Sequence, residues 1–176
     1  MNYADIKQYD VANGPGIRVS LFVSGCTHYC KGCFNKVAWD FNYGEPFTEF
    51  TIGKIISYME PSYITGLTIL GGEPIDPNNQ PGVLKLLRKV RKKYPEKSIW
   101  LFSGYDFEKD ILGRMVDEIP ETKEILSYID VLVDGEFVEE LKDLSLRFKG
   151  SSNQRTICVQ ESLEKGEIVL YDLENQ

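Results

Sequence analysis

The chain has 176 residues, of which 42% are apolar, 12% aromatic and 27% charged, a balance that buries a core within one domain spanning 1–176 and excludes a disordered chain. A net charge of -7 and a pI near 4.9 exclude the basic field that binding duplex nucleic acid requires. No segment approaches the roughly 20 apolar residues of a membrane span, and Asp5 and Lys7 stand where a leader would place its apolar region, so a cytoplasmic protein without membrane contact is expected.

In chain order, the turn signal Asn13-Gly14-Pro15-Gly16 leads into a β-branched and aromatic strand, Ile17 to Val23. That strand runs into a cysteine-bearing loop. Ile52, Ile55, Ile56 and Met59 then repeat at helical spacing, with Thr48 or Thr51 as N-cap and Pro61 beyond the end. Gly66 to Leu70 predicts a second strand, closed by Gly71-Gly72-Glu73-Pro74. Pro81 opens a helix with Val83, Leu84, Leu87, Val90 and Tyr94 inward, stopped by Pro95. A third strand, Ser98 to Phe102, ends at Ser103-Gly104-Tyr105. A broken helix covers Phe107 to about Val116 and Glu121 to Tyr128, and a fourth strand, Ile129 to Val133, ends at Asp134-Gly135. Arg155 to Gln160 and Glu167 to Tyr171 predict a closing β-hairpin turned at Lys165-Gly166.

Strands alternating with helices build a parallel sheet through right-handed crossovers. A full (β/α)8 barrel takes about 250 residues, so the α/β fold expected here is a partial, open (β/α) TIM-like barrel with a C-terminal β-hairpin. Ligands collect at the carboxyl ends of such strands. The cysteines, Gly-Gly-Glu-Pro, Ser-Gly-Tyr and Asp-Gly-Glu all sit there, which points to one shared site.

Three of the four cysteines, Cys26, Cys30 and Cys33, fall in a single loop with three and then two residues between them. Crowding of this kind marks a cofactor site rather than a disulfide framework. A four-iron, four-sulfur cube normally takes four thiolates, so three leave one iron open for a small molecule. The alternative at this point is zinc, with His28 or Cys158 completing a tetrahedral set.

The triplet followed by Gly71-Gly72-Glu73-Pro74 resembles the radical S-adenosylmethionine superfamily. More closely, Asn13 to Arg18, Phe22 to Cys26, Cys30 to Asn35, Val131 to Phe137 and Gly150 to Arg155 together resemble the activating enzymes of anaerobic ribonucleoside-triphosphate reductases. The resemblance implies a 4Fe-4S cluster on Cys26, Cys30 and Cys33 whose open iron chelates S-adenosyl-L-methionine. One electron passed into the sulfonium releases a 5'-deoxyadenosyl radical, which takes a hydrogen from a glycine of the large reductase subunit. It also implies that Gly71, Gly72 and Glu73 contact the methionine part, Glu73 balancing its ammonium. A related reading keeps this chemistry but directs it to another glycyl-radical enzyme or to a small molecule, as in deazapurine synthesis.

Gly32 departs from the aromatic residue common in the superfamily before the third cysteine, so Tyr29 or Phe34 is the candidate face for adenine. Ser103 and Asp134 are candidate cofactor contacts at their strand ends; in pyruvate formate-lyase activators an Asp at a similar position helps bind a monovalent cation. Arg18 offsets cluster or carboxylate charge, or pairs elsewhere. His28 reads as loop packing, and Cys158, between Ile157 and Val159, as a small core residue. Lys85, Arg88, Lys89, Arg91, Lys92 and Lys93 give one helix a basic face, either a solvated surface or a dock for an acidic donor such as reduced flavodoxin.

Overall fold

The computed structural model describes residues 1–174. Its strands are β1 (Asn2–Asp10), β2 (Ile17–Val23), β3 (Glu45–Pro46), β4 (Ile64–Gly71), β5 (Ser98–Phe102), β6 (Val131–Asp134) and β7 (Arg155–Cys158). They form one open sheet in the order β3-β1-β2-β4-β5-β6-β7. As expected, β2, β4, β5 and β6 are parallel. Three antiparallel pairings, β1 on β2, β3 on β1 and β7 on β6, extend that core at both edges.

The helices are α1 (Glu49–Tyr58), α2 (Gln80–Lys93), a π-helical stretch (Phe107–Met115) running into the single turn α3 (Val116–Glu118), α4 (Pro120–Tyr128) and α5 (Val159–Lys165). Thr48 caps α1 by exchanging hydrogen bonds with Thr51, which satisfies two otherwise orphaned amides. Helix α1 buries Ile52 and Ile55, and α2 buries Val83, Leu84, Leu86, Leu87 and Val90, in a core shared with Leu21, Leu67, Ile69, Leu101 and Leu132 of the sheet. Among the described residues no helix is long and apolar enough to cross a membrane.

Two elements differ from the sequence expectation. Strand β1 was not foreseen: Asn2–Asp10 is polar, half-buried and has no apolar run, and it is held as a strand by its ladder with β2. The C-terminal hairpin is replaced by β7, the short helix α5 and a return segment, because the chain turns helical at Val159 and Gly166 ends that helix in the left-handed conformation (φ 67°). The return segment still meets β7, through Cys158 N–H to Val169 O (2.8 Å), Tyr171 N–H to Thr156 O (2.8 Å) and a bridge between Ile157 and Leu170.

The sheet face away from the helices is filled at its amino end. Trp100 packs there edge-on against Phe148 and Tyr171, at 5.5 and 5.0 Å. Arg18 is fully buried on this face and its guanidinium is set among neutral oxygens of the sheet. Its guanidinium donates to Thr68 Oγ1 (2.8 Å), Ser98 Oγ (2.9 Å) and the carbonyls of Leu67 (2.8 Å) and Ser98 (3.0 Å), tying β2 to β4 and β5. Burial lowers its pKa to about 10. A lysine keeps the buried charge yet has three donors and no fork. Arg18→Lys is therefore expected to cost about 2 kcal/mol, measured as a lower urea midpoint with an unchanged slope; an unaltered midpoint would remove this role.

Candidate functional site

Leu21, Ile69, Leu101 and Leu132 share one register row, so the residues that follow on the four parallel strands open onto one carboxyl edge. A cavity of about 610 Å³ lies there, walled by Cys26, Cys30, Cys33, Phe34, Gly71–Glu73 and Ser103, with Phe22, Leu70 and Phe102 beneath. The far wall was not expected to belong to the site. It comes from the segment between β6 and β7, including Phe137, Leu144, Phe148 and Gln154.

All three thiols of the triplet are free; Cys26 is buried, and Cys30 and Cys33 are partly exposed. Burial pushes the Cys26 thiol up to about 12 and also raises Cys30, so thiolates here need the positive charge of a bound metal. Among the described residues no three His, Cys, Asp or Glu side chains gather closely enough for a single ion. A cube carries its irons at separate corners and takes thiolates that stand farther apart.

Neither candidate for a fourth zinc ligand is in place. Cys158 is paired with Val131 at the amino end of β6, whereas the cluster loop lies at the carboxyl edge. Both ring nitrogens of His28 are engaged: Nε2 is 2.9 Å from Glu73 Oε2 and Nδ1 is 3.1 Å from Glu136 Oε1. Burial disfavours the charged ring, but the hydrogen bonds and charges of Glu73 and Glu136 outweigh it and raise the pKa.

The Gly-Gly-Glu turn is a cradle against the cluster loop. A Cβ on Gly72 would stand 2.5 Å from Gly25 O and 2.8 Å from Ala38 O, so only glycine permits this approach. Glu73 is fully buried, and its carboxylate accepts four donors: Ile75 N–H and Ser103 Oγ on one oxygen, Gly104 N–H and His28 on the other. Its side chain thus organises the turns at the cavity wall. Asn79, which the sequence reading passed over, reinforces them: its buried Nδ2 donates to Ser24 O, Gly25 O and Glu73 O.

Gly32 has φ 72°, and a Cβ there would lie 2.7 Å from the Glu139 side chain. A side chain at this position would thus meet that of Glu139, from the β6–β7 segment. Phe34 lines the cavity instead, 5.1 Å from the Phe137 ring and with Lys142 Nζ 4.7 Å from its own centroid.

Asp134 stands at its strand end, fully buried, but both carboxylate oxygens are taken. Arg155 binds them through Nε (3.0 Å) and Nη2 (2.6 Å), and Phe107 N–H donates to Oδ2 (2.8 Å). The carboxylate therefore does not fit the monovalent-cation ligand expected from sequence. Three cations on the basic face of α2 are paired with carboxylates of other segments. Arg88 pairs with Glu124, Lys89 with Glu49 and Arg91 with Asp130, and the last turn of α2 leads into the start of β5, at the sheet end away from the cysteines.

The sequence profile of the family described as "4Fe-4S single cluster domain" matches residues 12–157. The chain is 42% identical over 156 residues to the anaerobic ribonucleoside-triphosphate reductase-activating protein of Escherichia coli K12, covering 88% of this chain and 96% of that protein. The chain belongs to this activating-protein family. The counterpart from Enterobacteria phage T4 is 43% identical over 155 residues (88% and 92% covered), and that of Vibrio cholerae 42% over 156 (88% and 96%). The matched 4Fe-4S family spans the triplet. The donor set agrees: three thiols on one wall, none paired in a disulfide, beside a backbone cradle without Cβ atoms.

Proposed function

We propose that this chain activates an anaerobic ribonucleoside-triphosphate reductase by reductive cleavage of S-adenosyl-L-methionine at a 4Fe-4S cluster held by Cys26, Cys30 and Cys33. The observation that carries this reading is the single cavity shared by the three thiols and the Gly71–Glu73 turn. A cluster held by Cys26, Cys30 and Cys33 would supply the one electron that splits the sulfonium into methionine and a 5'-deoxyadenosyl radical, and that radical would become 5'-deoxyadenosine by taking a hydrogen atom from the glycine.

The chain's own residues bind and shield. Gly71 and Gly72 let the methionine part approach backbone, and Glu73, through Ser103 and Gly104, keeps the neighbouring turn in register. Phe34 offers the adenine a face beside Phe137. Phe22, Leu70 and Phe102, in the wall of what we take to be a partial barrel, give the radical an apolar floor. Phe34 and Leu144 at the rim are 66% and 86% exposed, so the cavity reaches the surface and can admit a polypeptide loop. A flavodoxin-like electron donor then approaches over the cluster loop and not at the basic end of α2.

The test is anaerobic reconstitution with iron and sulfide, then dithionite, S-adenosyl-L-methionine and the reductase large subunit. Expected are 5'-deoxyadenosine and a radical doublet in the electron paramagnetic resonance spectrum of the partner. Deoxyadenosine without a partner radical would redirect the activity to another target; neither product would refute the reading.

A further inference from the structure

His28 lies between Cys26 and Cys30 of the triplet. Its ring reaches three separate strand ends. Nε2 meets Glu73 after β4, Nδ1 meets Glu136 after β6, and between them the ring packs edge-on against Tyr105 after β5, at 4.5 Å between centroids. Fit is tight on the β5 side, where a Cβ on Gly104 would come within 2.7 Å of two ring atoms. The imidazole side chain is only 9% exposed, Glu73 is buried and Glu136 is 59% exposed. Glu73 in turn binds Ser103 and the Gly104 amide. One ring therefore joins the loop that carries the thiols to the turns that line the cofactor cavity.

We propose that His28 is a positioning residue that registers the cluster loop onto the cofactor-binding strand ends, so that cosubstrate affinity depends on how this ring ties the loop to those ends. The inference rests on the function proposed above. Without the ring, the three cysteines still hold a cluster and Gly25 stays bonded to the Gly71–Glu73 turn, but the loop beyond Cys26 loses its tie to the ends of β5 and β6, and the alignment of the chelating iron with the cradle loosens. A purely structural histidine would lower stability and leave the affinity of the folded protein alone.

The experiment compares reconstituted wild type, His28→Ala, His28→Gln and Glu136→Ala, titrating S-adenosyl-L-methionine into the reduced protein while recording the cluster's electron paramagnetic resonance spectrum. Iron content and thermal midpoint are recorded in parallel. His28→Ala is expected to keep its iron yet require at least about tenfold more cosubstrate for the spectral change, since a displaced group of this kind costs one order of magnitude or more. His28→Gln, which can still reach Glu73, should recover part of the loss. A wild-type titration curve in His28→Ala would overturn the proposal. If that variant holds no iron, Glu136→Ala decides, because its exposed side chain can be removed without disturbing the core: weaker cosubstrate binding upholds the proposal and wild-type binding overturns it. A wild-type spectrum indifferent to the cosubstrate would instead sink the proposed function, and this inference with it.

Discussion

Alanine in place of Cys26, Cys30 or Cys33 is expected to abolish both cluster retention and turnover, whereas Cys158→Ala keeps both. In the proposed site the cube would be held by three thiolates that share one loop, and removing any of them would leave an iron with no replacement donor. The one histidine of the sequence, His28, is committed to Glu73 and Glu136. Cys158 lies at the opposite end of the sheet, paired with Val131. Iron and sulfide assays after anaerobic reconstitution, together with deoxyadenosine formation, measure the effect. Loss of iron in Cys158→Ala, or retention of a full cluster in any triplet variant, would overturn the three-thiolate assignment.

Gly72→Ala should come close to the same result without touching a ligand. The added methyl carbon meets two backbone oxygens, Gly25 O at 2.5 Å and Ala38 O at 2.8 Å, and neither can rotate away as a flexible side chain would. Both belong to the loop that carries the triplet: Gly25 precedes Cys26, and Gly25 N–H donates to Ala38 O (2.8 Å). Relief must come from parting the cradle and the cluster loop, which also strains Glu73 N–H to Gly25 O (2.8 Å). Overpacking of this sort costs about 1–3 kcal/mol, and a displacement near 1 Å at the reacting geometry costs on the order of 100-fold in rate. Turnover is therefore expected to fall about 100-fold or more in a protein that still folds, as judged by circular dichroism and single-turnover deoxyadenosine yield. Wild-type turnover would show that the approach of these two backbones is not needed for catalysis.

Much of the parallel core was legible because its strands are short β-branched runs and its helices carry one apolar stripe. Ile17–Val23, Ser98–Phe102 and the inward face of α2 follow from residue types alone. Strand β1 was hidden because edge pairing, not hydrophobicity, holds it, and the end of β7 because Val159 suits strand and buried helix alike. The cysteine wall of the site was readable from spacing, and the glycines from their place after a strand. What could not be read were contacts between distant positions. Glu73 lies 45 residues from His28, and Glu136 lies 108 from it. The same holds for Asp134, whose carboxylate has the right place for a ligand and is spent on Arg155, 21 residues on. Nothing in the sequence near Phe34 announces that Phe137 and Leu144 close the opposite wall.

Arg18 and Trp100 plug the amino end of this sheet face. Under the proposed function, nucleotide and glycine would then have to come in from the carboxyl edge, so a bound nucleotide would lie between the incoming polypeptide and the floor of the cavity.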